Sequence, residues 1–115
     1  MATAKTSLKD LVTKYFKQKG YAIQETPTFE GFSGVTRVFD LLLEKGTEKR
    51  LVWLRDWNRT VGINMVIRMD NAAEDVSIPK PIMISQQFSG HAKAYANRRG
   101  MILLTETDIK KRINQ

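Results

Sequence analysis

The chain has 115 residues, of which 42% are hydrophobic and 27% charged, and it carries a net charge of +7. That length suits one core and one domain, residues 1–115, and the composition excludes fibrous and disordered classes. The positive balance favours an anionic partner, nucleic acid ahead of a membrane surface.

The absence of cysteine removes disulfides, thiolate zinc sites and cysteine nucleophiles together. His91 is the single histidine, so any metal would be a hard ion such as magnesium held by carboxylates. The first residues, MATAKTSLKDLVTKY, lack the apolar core of a signal peptide. No apolar run approaches the roughly 18 residues of a membrane span, and the expectation is a cytoplasmic protein.

In chain order, Leu8, Leu11, Val12, Tyr15 and Phe16 form the stripe of an amphipathic helix. Ser7 and Asp10 resemble a capping box, and Gly20 falls where a helix ends. Tyr21–Glu25 alternates like a short strand and Pro27 stops it. The loop TFEGFSG, Thr28 to Gly34, matches no phosphate-cradling spacing and reads as a plain hairpin loop.

Val35–Leu43 and Leu51–Leu54 are apolar runs joined by a polar turn around Gly46, the pattern of two long adjacent strands. Asp40 lies inside the first run. An ionised carboxylate buried there costs several kcal/mol unless it is paired, hydrogen-bonded or bound to metal.

Gly62–Ala73 reads as a helix with Ile63, Val66 and Ile67 on one face and Met65, Met69 and Ala72 nearby, a methionine-rich surface suited to a core or an interface. Pro79 and Pro81 break the chain before the strand Ile82–Ser85. Ser89 caps a helix that runs to Arg99 and ends at Gly100, with Ala92, Tyr95 and Ala96 inward. Met101–Leu104 reads as a buried strand and Glu106–Ile113 as a last helix exposing Lys110, Lys111 and Arg112. The order α-β-β-β-α-β-α-β-α implies an α/β fold, a mixed central sheet flanked by helices.

From Gly20 to Ile109 this order, the glycine-containing loop before Asp40, the run RLVWLRDWNRTVG and the spacing of Phe88, Ala92, Tyr95, Ala96 and Gly100 are similar to one family. They resemble the Mrr-like branch of the restriction-endonuclease-like, PD-(D/E)xK, nucleases, relatives of the Holliday junction resolvases. The resemblance implies a restriction-endonuclease-like fold and a site in which an Asp binds magnesium. In that family a Gln or Glu follows the Asp thirteen residues later, and a Lys two residues after that. Counting from Asp40 lands on Trp53 and Arg55. An indole gives a metal no oxygen, and a guanidinium binds phosphate but is a poor base. Asp40 and Arg55 are therefore the remains of a degenerate catalytic pair, with Asp40 a metal ligand and magnesium a cofactor only if cleavage survives.

Strand alternation puts Trp53, Arg55 and Trp57 on one face and turns Asp56 away from it. Glu30, in the loop ahead, is the acid that could replace a lost ligand. Trp53, Arg55, Trp57 and Arg59 alternate ring and cation, a surface for stacking bases and gripping phosphate. The plainer alternative has both tryptophans in the core and Arg55 neutralising Asp40. Arg37, Lys93, His91, Arg98, Arg99 and the Lys110–Lys111–Arg112 run add candidate phosphate contacts, and Gln86 and Gln87 candidate backbone hydrogen bonds. The expected function is DNA binding on a nuclease fold without cleavage, no resident cofactor, no membrane partner and pairing into a homodimer. The alternatives are a metal-dependent DNA endonuclease with migrated ligands and a structural or scaffold subunit.

Overall fold

The computed structural model describes residues 7–55 and 59–113. Helix α1 (Leu8–Gln18) begins where Ser7 Oγ accepts the Asp10 amide at 3.1 Å, and it buries Leu8, Val12, Tyr15 and Phe16. Gly20, at φ +92°, takes the left-handed turn that a side chain resists and sends the chain into β1 (Ala22–Glu25). Next, β2 (Thr28–Glu30) and β3 (Thr36–Val38) pair antiparallel as a small sheet of their own, so that Thr28–Glu30, expected as part of a loop, is a strand. The strands β4 (Leu41–Lys45) and β5 (Glu48–Arg55) form the central hairpin, with Leu41 opposite Val52 and Gly46 at φ +63° in the two-residue turn.

Helix α2 (Ile63–Asp75), β6 (Ile82–Ser85), α3 (Gly90–Arg99), β7 (Ile102–Thr105) and α4 (Glu106–Ile113) complete the chain. The sheet order is β1-β4-β5-β6-β7, antiparallel through β5 and parallel from β5 to β7. This is the mixed α/β sheet expected, with the β2–β3 hairpin added. Helix α3 runs from the Ser89 cap, whose Oγ accepts the Ala92 amide at 3.1 Å, to Gly100 at φ +75°. Helix α4 is held by a reciprocal box in which Thr105 Oγ1 accepts the Asp108 amide and Asp108 Oδ2 accepts the Thr105 amide.

The two faces of the sheet bury separate cores. Leu41, Leu43, Val52, Ile82 and Ile84 pack on α1 and α4, while Leu42, Leu51 and Met83 pack with Phe39 on α2 and α3. Alternation along each strand is the cause, and each fully buried aliphatic chain contributes about 1.5–3 kcal/mol.

Four expectations need correction. The run Val35–Leu43 is not one strand, because it breaks at Phe39 and Asp40 into β3 and β4. Asp40 is not buried: its side chain is 40% exposed. The methionine face of α2, offered as a surface for pairing two copies, is core, with Met69 fully buried and Met65 packed against the same cluster. The last strand is an edge, with Ile102 exposed. Among the described residues no helix is long and apolar enough to cross a membrane.

Candidate nucleic-acid interface

The break before β4 is made by Asp40 itself. Its Oδ2 accepts the Leu54 amide at 2.7 Å, so a side chain takes a place that a ladder carbonyl would fill. Phe39 is buried in the α2–α3 core and packs on Phe29 and Trp53, with ring centroids 6.2 and 6.1 Å away. Together these contacts fix Asp40 on a bend at the carboxyl end of the sheet.

Arg55 closes β5 beside it. Its Nη1 stands 3.7 Å from Asp40 Oδ2 and donates to the Leu54 carbonyl at 3.0 Å. Its guanidinium lies over the Trp53 ring at 4.6 Å, within range of a cation–π contact. Trp53 is partly buried against the core, and its Nε1 donates to the Val38 carbonyl at 3.2 Å. The expected pairing of Asp40 with Arg55 is thus present as a long, half-open contact, and Trp53 is both a wall of the core and the platform under Arg55.

Parallel register sets Ser85 beside Arg55 and Thr105 beside Ser85. Ser85 is fully buried, and its Oγ finds no hydrogen-bond partner among the described residues. Gln86, next in the chain, donates to Glu106 Oε1 at 2.9 Å, while Gln87 is exposed and its carbonyl accepts the Val61 amide. Arg59 is exposed. Trp57 and Asp56 lie outside the described residues.

Helix α1 brings Lys9 to the same end. Lys9 pairs with Glu25, and its pKa is raised by that hydrogen bond first, with a smaller contribution from Asp40. Ser85 carries no signal in the sequence beyond closing an apolar strand, and Lys9 shares a polar face with Lys14, Lys17 and Lys19, one that could meet phosphates but reads first as solvated.

The other expected contacts scatter. Arg37 donates Nε to Asp75 Oδ2 at 2.9 Å, and Arg99 holds Asp70 at 2.8 Å and Glu74 at 2.6 Å. Lys93 lies in the first turns of α3, near the Asp40 end of the sheet. Arg98 and Arg99 sit at the far end of the helix, which at 10 residues is about 15 Å long. Lys110, Lys111 and Arg112 are exposed on α4, and Arg112 donates to Tyr15 Oη at 3.2 Å.

A magnesium ion asks for an octahedron of oxygens. Among the described residues no three carboxylate or imidazole groups converge. Asp40 Oδ2 already accepts an amide and faces a guanidinium, Trp53 stands where a second oxygen donor is needed, and Glu25 is occupied by Lys9. These residues do not fit the ion.

A mixed sheet sandwiched by helices, with this bend at its carboxyl edge, defines a restriction-endonuclease-like domain. The family model described as restriction endonuclease, Mrr_cat, matches residues 2–113, and the chain belongs to that family. No curated protein matches it. The fold is similar to the crystal structure of AF1548, a protein of unknown function, with TM-score 0.77 and 18% identity over 86% of this chain and 58% of that one. It is also similar to VC1899 from Vibrio cholerae, with TM-score 0.68 and 9% identity over 93% of this chain and 30% of that one. The chain therefore spans little more than half of the first neighbour's length and under a third of the second's.

Proposed function

We propose that this domain binds DNA and does not cut it, using the carboxyl edge of the sheet where its family performs metal-dependent cleavage. The observation that carries the reading is the Arg55 guanidinium stacked on Trp53 at 4.6 Å beside a half-exposed Asp40. A planar cation held over a ring is shaped to meet phosphate and base together, and a guanidinium stays charged at any working pH. Arg59, Gln87 and Lys93 extend this grip to the backbone, fixing position and carrying no sequence information. Arg37 and Arg99 hold carboxylates of the protein and serve the fold. Pairing of two copies is not needed for this contact.

The reading is tested by fluorescence anisotropy on a labelled duplex at 50 and 200 mM salt. Contact with roughly five phosphates weakens saturable binding by more than tenfold across that range, whereas incidental charge gives no saturable binding at all. Plasmid incubated with magnesium or manganese is expected to stay intact. Nicking that disappears in Asp40→Ala would replace this proposal with the endonuclease reading.

A further inference from the structure

Three of the four large hydrophobic side chains exposed among the described residues lie within seven positions of one another. Phe32 is 85% exposed, Val35 51% and Val38 52%, all on the β2–β3 hairpin. Scattered apolar residues are ordinary on a surface; a cluster on one protruding element is not.

The hairpin that carries them is braced. Asp75, at the end of α2, accepts the Ser33 amide at 2.9 Å, the Ser33 hydroxyl at 2.7 Å and Arg37 Nε at 2.9 Å, and its own carbonyl accepts the Phe32 amide. Gly31 packs flat on that carboxylate, leaving no room for a Cβ. On the inner side Phe29 anchors the hairpin in the α2–α3 core. The polar groups that brace the tip thus hold a benzyl ring out into solvent.

Self-association is a poor use of it. Two half-exposed valines and one ring offer about 300 Å², against the roughly 800 Å² each partner contributes to a stable interface. Two copies would also bring together net charges of +7. A polyanion with apolar faces inside it suits both properties. At its base the hairpin joins the proposed edge directly, because the Val38 carbonyl accepts the Trp53 indole N–H. Glu30, whose carboxylate repels phosphate, stands two residues from the ring, so the hairpin meets DNA through apolar contact and not as a phosphate clamp.

We infer that Phe32 is a wedge that enters a base step of duplex DNA held by the Arg55 edge, unstacking it locally. Flanking cations with an apolar side chain inserted between bases is a general way to kink a duplex. Phe32 stands four residues beyond the Thr28–Val38 pair, on the order of 13 Å along the hairpin, which places the opened step about four base pairs from the contact at Arg55. This inference rests on the DNA-binding proposal above.

The test compares the unaltered protein with Phe32→Ala and Phe32→Leu on a thymine-containing duplex, reading affinity, its salt slope and permanganate reactivity of unstacked thymine. The expected result is a hyperreactive thymine with the unaltered protein. In Phe32→Ala that signal is lost and affinity falls about tenfold, the worth of one stacked ring, with the salt slope unchanged. Phe32→Leu restores part of both. If the unaltered protein binds and Phe32→Ala matches it in affinity and reactivity, the wedge is wrong and the DNA-binding reading survives. If the unaltered protein shows no saturable binding, the DNA-binding reading fails first. A shift from dimer to monomer on Phe32→Ala, with DNA binding intact, assigns the tip to self-association and overturns the inference.

Discussion

Asp70 and Asp40 each meet an arginine, and the two carboxylates differ in burial and in partners. Asp70, on α2, is 3% exposed, and its Oδ2 accepts the Tyr95 hydroxyl at 2.6 Å and Arg99 Nε at 2.8 Å. The Tyr95 hydroxyl is pushed above its usual pKa by that hydrogen bond and by burial, and it stays a donor. Asp40 is 40% exposed, takes one backbone amide and leaves its arginine at 3.7 Å. The first arrangement joins α2 to α3 around a buried carboxylate, and the second keeps a carboxylate accessible at the sheet's edge. A buried carboxylate held by two donors serves the fold, whereas a half-exposed one stays open to solvent.

The largest way to test that contrast is Asp70→Ala. Removing the acceptor takes a partner from the half-buried Tyr95 hydroxyl and from the exposed Arg99, and the expected loss is about 1–3 kcal/mol, read by urea denaturation. DNA affinity of the fraction that remains folded is expected to be unchanged. A loss below ~1 kcal/mol would mean that the network is no tighter than the Asp40 contact and would dissolve the comparison.

The sequence made the elements legible and left their seams hidden. Ser7, Ser89 and Gly100 announced helix ends because capping depends on residues three or four apart, and Ile82–Ser85 stood out between Pro81 and Gln86. The strand break at Asp40 could not be read, since it depends on an amide fourteen residues away. Asp70 carries no signal of its own within α2, and only the fold brings Tyr95 and Arg99, four residues apart on α3, onto it. Of the site, the pairing of Asp40 with Arg55 followed from the family resemblance, while alternation left Trp53 open between a stacking surface and the core, and the fold makes it part of both. The openness of the site, and the apolar tip held by Asp75, followed only from the fold.

Asp75 holds a third arginine, Arg37, and pH tests what that brace contributes. Hydrogen bonds from the Ser33 hydroxyl, then from Arg37 and the Ser33 amide, lower its pKa from 3.8 to about 2. A carboxylate whose folded pKa is depressed stabilises the protein above its unfolded pKa, and that contribution fades as pH falls from near 3.8 through about 2. The hairpin is therefore expected to stay braced at pH 5 and to loosen only in strong acid. The Asp75 carboxyl carbon followed by NMR should titrate with a midpoint near 2. A midpoint near 4 would mean that the brace contributes nothing and that Phe32 is not held in place.

The smallest expected effect on stability falls on Arg55→Ala, and its smallness is what makes the substitution informative. Both partners of the ion pair reach solvent, so the Coulomb gain is screened and the change in unfolding free energy is expected to stay below ~1 kcal/mol. Binding should respond quite differently: with one fewer phosphate neutralised the salt slope falls by about 1, and without the stacked cation affinity weakens on every duplex sequence alike. Arg55→Lys sharpens the point, because it keeps the charge while giving up the planar stack on Trp53. Recovery of the salt slope without recovery of full affinity would assign the remaining deficit to the stack. A destabilisation near 3 kcal/mol in Arg55→Ala would instead put Asp40 in the same sealed class as Asp70 and leave the edge with a structural role.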